Sequence, residues 1–285
     1  MKTILVPSDL SANSATALRY AIRLGLQFKA RLVVLHCIPV LNYRLTPIIS
    51  KKQLELLLKE EREKAGKKLG EQVARTYRYL GFKKIPPGTM ILVEASPTVV
   101  DHCIKTANHS GAHLIVMGTH GAGGLKKYIF GSTASNMISR SAIPVLAIPG
   151  GHRFKKAETI LFASDLENIG DELSRLIPFA KDIKAGIDIL HMYYATDPVG
   201  MNIPKAESII KESSFKKLRL VKCKVSPEYP IQIHLHEYLD KHKPALLVMF
   251  SKKRSFWNKL FSGSKTEELT NESLGVPLLS FRKSV

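Results

Sequence analysis

The sequence predicts an α/β protein made of two tandem doubly wound domains, each with a five-stranded parallel sheet between layers of helices. Two observations support this fold class. Short apolar runs alternate with helical stretches along the chain, and the series of runs in the first half returns in the second half. Strands of such apolar composition are buried on both faces, which requires a parallel sheet with helices on each side.

The predicted elements of the first half alternate between strand and helix. Apolar, β-rich runs predict strands over residues 4–7, 31–38, 89–94, 113–117 and 145–148. Helical periodicity predicts helices over residues 13–29, 51–80, 97–110 and 132–141. The first of these helices repeats apolar residues at spacings of three and four, as a helix with one buried face requires.

Four motifs of the first half reappear in the same order in the second half. They pair Ser8-Asp9-Leu10 with Ser164-Asp165-Leu166, Leu35-His36 with Leu190-His191, Val116-Met117 with Val248-Met249, and Pro144 with Pro277. Such ordered repetition predicts a duplicated unit. The Pro149-Gly150-Gly151 break after the fifth strand marks the boundary between them, and it gives domains 1–149 and 157–285.

The bulk composition is that of an ordinary globular protein. The chain has 285 residues, of which 45% are hydrophobic and 24% are charged. No apolar run reaches the roughly 20 residues that a membrane helix needs, and the N-terminus does not resemble a secretion signal, so we expect a cytoplasmic protein with no membrane partner. The three cysteines are widely spaced, which favours buried hydrophobic residues over a disulfide framework or a zinc site.

A formal net charge of +19 makes phosphates, nucleic acids and anionic lipid surfaces candidate partners. The lysines are spread along the chain, and the densest stretch, residues 211–224, has no ladder of aromatic side chains for stacking on single strands. A solvated basic surface therefore explains the charge better than a dedicated nucleic-acid groove.

Ligands of doubly wound folds bind beyond the carboxyl ends of the strands. Three segments of the first half reach that edge: Pro7-Ser8-Asp9, Cys37, and residues 118–133. The last segment begins with four glycines in seven residues, and glycine permits both positive φ and a close approach of backbone amides to a ligand. Gly131-Ser132-Thr133 then opens a helix, whose free amides and dipole favour a phosphate. Together these features predict a phosphate cradle.

The glycine-rich segment is neither a Walker A loop nor a dinucleotide fingerprint. Its spacing of Gly118-x-x-Gly121, nine residues and Gly131-Ser132 resembles the ATP-binding motif of the universal stress protein family. The first strand with Asp9, the second strand with His36, and the closing strand are also similar to that family. The resemblance covers nearly the whole chain as two tandem copies, which implies two Rossmann-like domains.

This resemblance implies a site for ATP, accompanied by Mg²⁺ or Mn²⁺, in the first domain. The residues it implies are Pro7, Ser8, Asp9, Cys37, Gly118, His120, Gly121, Gly131, Ser132 and Thr133. Asp9 would contact the ribose or the base, and the backbone of Cys37 would meet the adenine edge. The residues from Gly118 to Gly121 would line the path of the phosphates, and those from Gly131 to Thr133 would hold them.

Several of these residues have a purely structural alternative. Asp9 would cap the helix that begins near Asn13, although Ser11 competes for that position. Cys37 would be a core residue that contributes its backbone, and His120 would be a polar residue of the loop with no role as a base.

The second half departs from the motif at its start. Phe250 stands where Gly118 stood, and Lys253 stands where Gly121 stood, although Gly263-Ser264 retains the end of the motif. Side chains at these places would prevent the close approach of the backbone to a ligand, so we do not expect this domain to bind a nucleotide in the manner of the first. Because Asp165 is retained and Lys252, Lys253 and Arg254 carry three positive charges, a partial or different anion site is an open alternative.

No nucleophile, base or paired-carboxylate arrangement can be assembled from the sequence, so we expect no enzyme activity beyond slow ATP hydrolysis. The family resemblance implies a stress-response protein in which ATP regulates a surface recognised by an unidentified protein partner. Two alternatives are open: a nucleotide-independent dimeric stress scaffold, and a binder of nucleic acid or another polyanion. We expect the two domains to pair within one chain, and a homodimer is a further option.

Overall fold

The computed structural model describes residues 3–40, 50–119, 131–194, 202–251 and 275–283. Within these ranges the chain divides into two compact units, one ending at Phe154 and the other beginning at Lys155. Each unit has a parallel sheet with helices, so the predicted fold class is confirmed. None of the helices in the described ranges is long and apolar enough to cross a membrane.

The first unit alternates strands and helices along its length. Its strands are β1 (Thr3–Pro7), β2 (Arg31–Pro39), β3 (Thr89–Ser96), β4 (Leu114–Gly118) and β5 (Val145–Ile148). Its helices are α1 (Ala12–Phe28), α2 (Lys51–Tyr79), α3 (Val99–His109) and α4 (Ser132–Arg140). Every strand and helix predicted for this half is present, and each end lies within two residues of its predicted position.

The sheet of the first unit has the strand order β3-β2-β1-β4-β5, and each neighbouring pair is parallel. The chain moves outward from β1 to β3 and then returns to the other side of β1, so the order reverses between β1 and β4. Helix α1 packs against α2, and α3 packs against α4. A crevice for a ligand is expected where the order reverses, at the carboxyl ends of β1 and β4.

Helix α1 shows how the sequence sets both the ends and the buried face of an element. Ser11 is its N-cap, because the Ser11 hydroxyl accepts a hydrogen bond from the amide of Ser14 at 3.2 Å. The helix ends where Lys29 takes the left-handed conformation, with φ of 51°. Its buried face includes Leu18 and Leu24, and burial of each such side chain contributes roughly 1.5–3 kcal/mol.

The second unit repeats the topology of the first. Its strands are β6 (Thr159–Ala163), β7 (Gly186–Tyr194), β8 (Leu218–Val225), β9 (Leu247–Ser251) and β10 (Leu278–Arg282). Its helices within the described residues are α5 (Ile169–Asp182), α6 (Asn202–Glu212) and α7 (Ile231–His242). The strand order β8-β7-β6-β9-β10 is the order of the first unit, again with parallel neighbours. The repetition seen in the sequence therefore extends to the fold.

Candidate functional site

A cavity of about 530 Å³ opens in the first unit at the carboxyl ends of β1, β2 and β4, with the start of α4 as one wall. Its lining includes eight of the ten predicted site residues: Pro7, Ser8, Asp9, Cys37, Gly118, Gly131, Ser132 and Thr133. His120 and Gly121 lie outside the described residues. Three separate segments of the sequence thus meet around one hollow, as expected for the point where the strand order reverses.

The turn after β1 holds Asp9 at the mouth of the cavity. Leu10 has a left-handed backbone with φ of 66°, and its amide donates to the Ser8 hydroxyl at 3.2 Å. The amide of Ser11 donates to Asp9 Oδ1 at 3.1 Å. Asp9 is therefore oriented by the turn, while Ser11 caps α1, and the Asp9 side chain remains exposed at the cavity.

Ser8 is buried in the wall of the cavity, and its polar groups bond to the protein. Its hydroxyl lies 2.8 Å from Gln72 Oε1 and 3.1 Å from the Ser14 hydroxyl. Its amide donates to the carbonyl of Leu35 at 2.8 Å, and its carbonyl accepts from His36 Nδ1 at 2.8 Å. Ser8 thus fixes the turn that carries Asp9.

Gln72 of α2 is a residue that the sequence analysis missed. It is buried, its Oε1 accepts from Ser8, and its Nε2 donates to the carbonyl of Ser11 at 3.2 Å. These two bonds tie α2 to the turn after β1. No local pattern identifies Gln72, because 64 positions separate it from Ser8.

The backbone of Cys37 faces the cavity because of the alternation along β2. The carbonyl of Leu35 accepts from the amide of Ser8, on the side of β1. Alternate residues of a strand turn their N–H and C=O groups to the same neighbour, so Cys37 also faces the side of β1. Since β1 ends at Pro7, whose register partner is Leu35, the polar backbone of Cys37 lies beyond the paired region.

The thiols in the cavity wall behave as apolar groups. Burial and the charge of Glu94 raise the pKa of Cys37 to about 11, although a hydrogen bond with the backbone of Ser96 acts to lower it. Burial, and then the neighbouring Cys37, raise the pKa of Cys103 to about 12. Both side chains line the cavity as neutral thiols at physiological pH. The interpretation of these cysteines as small hydrophobic residues fits this environment.

The start of α4 offers three backbone amides to the cavity. The N-cap, Gly131, has no side chain to satisfy them, and the first helical bond runs from the amide of Ser135 to the carbonyl of Gly131 at 3.0 Å. Within the described residues, the amides of Ser132, Thr133 and Ala134 have no hydrogen-bond partner, and all three residues line the cavity. Bare amides at a helix N-terminus favour an anion, and a phosphate in particular.

The structure gives Gly118 a packing role and shows no backbone conformation that requires glycine at Gly131. A Cβ on Gly118 would lie 3.2 Å from both the backbone carbon and the oxygen of Asn13, so this glycine allows α1 to approach the end of β4. Gly131 has φ of −61° and ψ of 155°, a conformation open to any residue, and its amide bonds to the carbonyl of Thr119 at 2.8 Å. Neither glycine supplies a positive φ.

The carboxyl edge of the second unit has the same turn after its first strand, but different side chains pack beside it. Leu166 has φ of 62°, and the amide of Glu167 donates to Asp165 Oδ1 at 3.1 Å, as in the first unit. Phe250, at the position of Gly118, stacks on Phe281 with ring centroids 4.6 Å apart. The Phe250 ring therefore packs within the second unit at the position where Gly118 lies against α1 in the first.

The basic stretch that motivated a polyanion partner is partly neutralised by its own neighbours. Residues 218–224 of this stretch lie in β8, an outer strand of the second unit's sheet. Arg219 makes two hydrogen bonds to the carboxylate of Asp188, at 2.9 and 2.5 Å, and Lys222 lies 3.1 Å from Glu207. Charged side chains on an outer strand also prevent unwanted strand pairing, which gives these cations a structural role.

Comparisons with known proteins agree in pointing to one family. The universal stress protein family matches residues 1–149. A universal stress protein of Methanocaldococcus jannaschii is 30% identical over 149 residues, which cover 52% of this chain and 81% of that protein. A second protein so named from this organism is 27% identical over 158 residues, which cover 52% of this chain and 94% of that protein.

Solved structures extend the likeness in fold to the second unit. The structure of a universal stress protein from Archaeoglobus fulgidus aligns with 99% of this chain and 98% of its own, with a TM-score of 0.66 and 18% identity. That of a putative universal stress protein from Pseudomonas aeruginosa covers 99% of this chain and 93% of its own, with a TM-score of 0.58 and 16% identity. Both units therefore share a fold with known two-unit chains.

Proposed function

Because this chain belongs to the universal stress protein family, we propose that its first unit binds ATP in the cavity at the carboxyl ends of β1, β2 and β4. The observation that carries the proposal is the group of three amides, of Ser132, Thr133 and Ala134, that face this cavity without a partner in the described part of the chain. Ala134 is buried whereas Ser132 and Thr133 are exposed. Donors at a helix N-terminus are available to an anion, and the oxygens of a phosphate accept several such hydrogen bonds.

The cavity has a polar end and an apolar end, which suits a nucleotide. The phosphates would lie against the amides of α4 and the hydroxyls of Ser132 and Thr133. The adenine would lie near the backbone of Cys37, between apolar wall residues such as Val99 and Cys103. Asp9, at the mouth, would accept hydrogen bonds from the ribose hydroxyls. This placement gives a ligand contact to four of the eight described residues that the family resemblance implied: Asp9, Cys37, Ser132 and Thr133.

A divalent ion in this site would depend on the phosphates for most of its ligands. Asp9 is the one carboxylate among the described residues that line the cavity, and Mg²⁺ is commonly held by one or two carboxylates together with phosphate oxygens. The described lining also includes no lysine or arginine to stabilise the charge of phosphoryl transfer. We therefore propose ATP binding with slow hydrolysis at most, and regulation as the role of the nucleotide.

The regulatory role follows from where the phosphates would bind. A triphosphate on the start of α4 would stabilise that helix end and the carboxyl edge of the sheet, and so favour one conformation of the nearby surface. A protein partner that recognises this surface would then respond to the nucleotide. In the stress response, this arrangement couples the ATP state of the cell to partner binding.

Calorimetric titration with ATP and Mg²⁺ tests the location of the site, with two tryptophan variants as a matched pair. Val99 is the first residue of α3 and lines the cavity, while Ile231 is the first residue of α7 in the second unit. We expect Val99→Trp to weaken ATP binding by at least about tenfold, a change of ~1.4 kcal/mol, because the indole fills the cavity. Ile231→Trp should leave ATP binding unchanged.

Three outcomes separate the alternatives. ATP bound by the parent and by Ile231→Trp, and lost in Val99→Trp, supports the proposed site. Equal binding by all three proteins would place the nucleotide elsewhere. Absence of binding by the parent, with no adenine nucleotide found by native mass spectrometry of the purified protein, would favour the nucleotide-independent scaffold.

A further inference from the structure

The carboxyl edge of the second unit holds a lysine ammonium between two carboxylates. Lys283 follows β10, and its Nζ lies 2.9 and 2.6 Å from the two carboxylate oxygens of Asp165. The same Nζ lies 3.2 Å from Glu172 Oε1. Since β9 lies between β10 and β6, the Lys283 side chain spans the width of β9 to reach Asp165.

This group of charges is largely removed from water. The side chains of Lys283 and Glu172 are 8% and 2% exposed, whereas that of Asp165 is 51% exposed. The second oxygen of Glu172, Oε2, accepts a hydrogen bond from the Ser164 hydroxyl at 2.9 Å. Every oxygen of the two carboxylates therefore has a donor, which is the condition under which buried charges are tolerated.

The ammonium is held in its charged form by its surroundings. Burial lowers the pKa of Lys283, but the hydrogen bonds and charges of Asp165 and Glu172 outweigh burial, so that its pKa is raised. Burial also raises the pKa of Glu172, and the charge of Lys283 acts against that increase. Lys283 is thus the counter-ion of the buried Glu172 and of the half-exposed Asp165.

The first unit has no equivalent of this lysine. Ile148 pairs with Gly118 in the first sheet, and Phe281 pairs with Phe250 in the second, so Ile148 and Phe281 are equivalent positions. Lys283 lies two residues after Phe281, and the equivalent residue two positions after Ile148 is Gly150. A Cβ on Gly150 would lie 2.5 Å from Asn13 Oδ1, so a larger side chain there would have to displace the Asn13 side chain. Asp9, the counterpart of Asp165, instead faces an open cavity.

We propose that Asp165 and Glu172, with Glu172 held by the hydrogen bond from Ser164, form a binding site for a primary ammonium group, and that the chain supplies the ligand itself as Lys283. This cation site includes the turn at Asp165. The equivalent turn of the first unit, at Asp9, lines the same cavity as the bare amides of α4. This inference does not depend on whether the first unit binds ATP.

Chemical complementation tests the site directly. Lys283→Ala retains Cβ and lacks the remaining atoms of the side chain, which are those of propylammonium. We expect Lys283→Ala to lower the midpoint of thermal unfolding by roughly 6–12 °C, since an uncompensated buried charge remains. Excess propylammonium should restore part of this loss, because a ligand of the folded state stabilises it. Tetramethylammonium has the same charge and no N–H donor, so it should not.

Lys224→Ala is the matched control variant, because Lys224 is an exposed lysine of β8. Its unfolding midpoint should differ little from that of the parent, and propylammonium and tetramethylammonium should act on it alike at equal ionic strength. If the two cations also act alike on Lys283→Ala, or if propylammonium stabilises Lys224→Ala equally, the proposed ammonium site is wrong.

A second variant keeps the test decisive if Lys283→Ala folds poorly. Adding Glu172→Gln removes the buried carboxylate that lacks its counter-ion while retaining an oxygen to accept from Ser164. We expect the unfolding equilibrium constant of the double variant to be at least about tenfold smaller than that of Lys283→Ala, which means that the second substitution restores part of the lost stability. A double variant that is no more stable than Lys283→Ala, whether folded or not, would overturn the proposal.

Discussion

The first and second units build the same turn after their first strand and then use the space beside it in opposite ways. In both, a leucine takes positive φ, and the aspartate before it accepts a backbone hydrogen bond from the residue two positions on. Beyond this turn the first unit has a cavity of about 530 Å³. In the second unit, the rings of Phe250 and Phe281 and the ammonium of Lys283 occupy the corresponding edge.

The partner of the serine before each aspartate accounts for part of this difference. The Ser8 hydroxyl meets the neutral amide of Gln72, whereas the Ser164 hydroxyl meets the carboxylate of Glu172. A second buried carboxylate beside Asp165 requires a cation nearby, and Lys283 provides it. A neutral partner makes no such demand, so the first unit can leave its edge open. A few side chains thus distinguish the turn beside an open cavity in the first unit from the turn beside an ion pair in the second.

The largest expected effect comes from Phe250, which fills the second unit where Gly118 stands in the first. Its ring is buried between Phe281 and Phe162, with centroids 4.6 and 5.5 Å away, and the guanidinium of Arg175 lies 5.3 Å from its centre. Phe250→Ala should reduce the free energy of unfolding by about 3–5 kcal/mol in a denaturant titration. Met90→Ala removes a side chain that is 54% exposed and should have little effect. Equal losses in the two variants would contradict the described packing.

The next effect concerns Gly118 itself. An alanine Cβ there would lie 3.2 Å from the backbone of Asn13, closer than ordinary contact, so Gly118→Ala should destabilise the first unit by about 1–3 kcal/mol. Gly66 lies inside α2, and a Cβ there would meet nothing within 4 Å. Gly66→Ala should therefore stabilise the protein by about 0.5–1 kcal/mol. If urea titration shows both variants to be stabilised, the packing role of Gly118 is wrong.

The smallest expected effect is a pH dependence in the second unit. The charged groups that act on Glu172 in the described residues are Lys283 and Asp165, and burial raises the pKa of Glu172 against the charge of Lys283. Without that lysine, the folded state binds a proton on Glu172 more tightly than the unfolded state does. Such a proton stabilises the folded state at low pH, and the stabilisation is lost as the pH rises through the pKa of the folded state.

The stability deficit of Lys283→Ala relative to the parent should therefore be smaller near about pH 5 than near about pH 8. Denaturant titrations of both proteins at the two pH values measure this deficit, and the comparison cancels groups that titrate alike in both. A deficit that does not change with pH, or one that grows on acidification, would show that Glu172 does not depend on Lys283 for its charge.

The sequence predicted most of what lies close together along the chain. Apolar runs located the strands of the first unit, and apolar periodicity located its helices, because a doubly wound fold buries both faces of its sheet. Asp9 and the Gly131-Ser132-Thr133 helix start were found in the same way, since each directly follows or precedes a recognisable element. Their meeting at one cavity follows from the parallel arrangement of the strands.

The contacts that the sequence did not predict join distant parts of the chain. Gln72 is 64 positions from Ser8, and Lys283 is 118 positions from Asp165. Lysine is usually exposed, so a lysine near the end of a basic chain gives no signal of burial. The role of Gly118 was also hidden, because the approach of Asn13 depends on how α1 packs on β4. Tertiary packing, which local patterns do not encode, determines all three.

If bare backbone amides at the start of α4 hold the phosphates of a nucleotide, then removing one of these amides with a proline at position 132 should weaken binding. Proline is favoured at the first position of a helix, and Gly131 already has the extended conformation that proline requires of the residue before it. Ser132→Pro thus removes one amide donor with little cost in stability, and Ser132→Ala removes the hydroxyl while keeping the amide. In calorimetric titrations with ATP, we expect Ser132→Pro to bind about tenfold or more weakly than Ser132→Ala, as loss of a hydrogen bond to a charged group implies. Equal ATP affinities in the two variants, with both folded, would contradict the account.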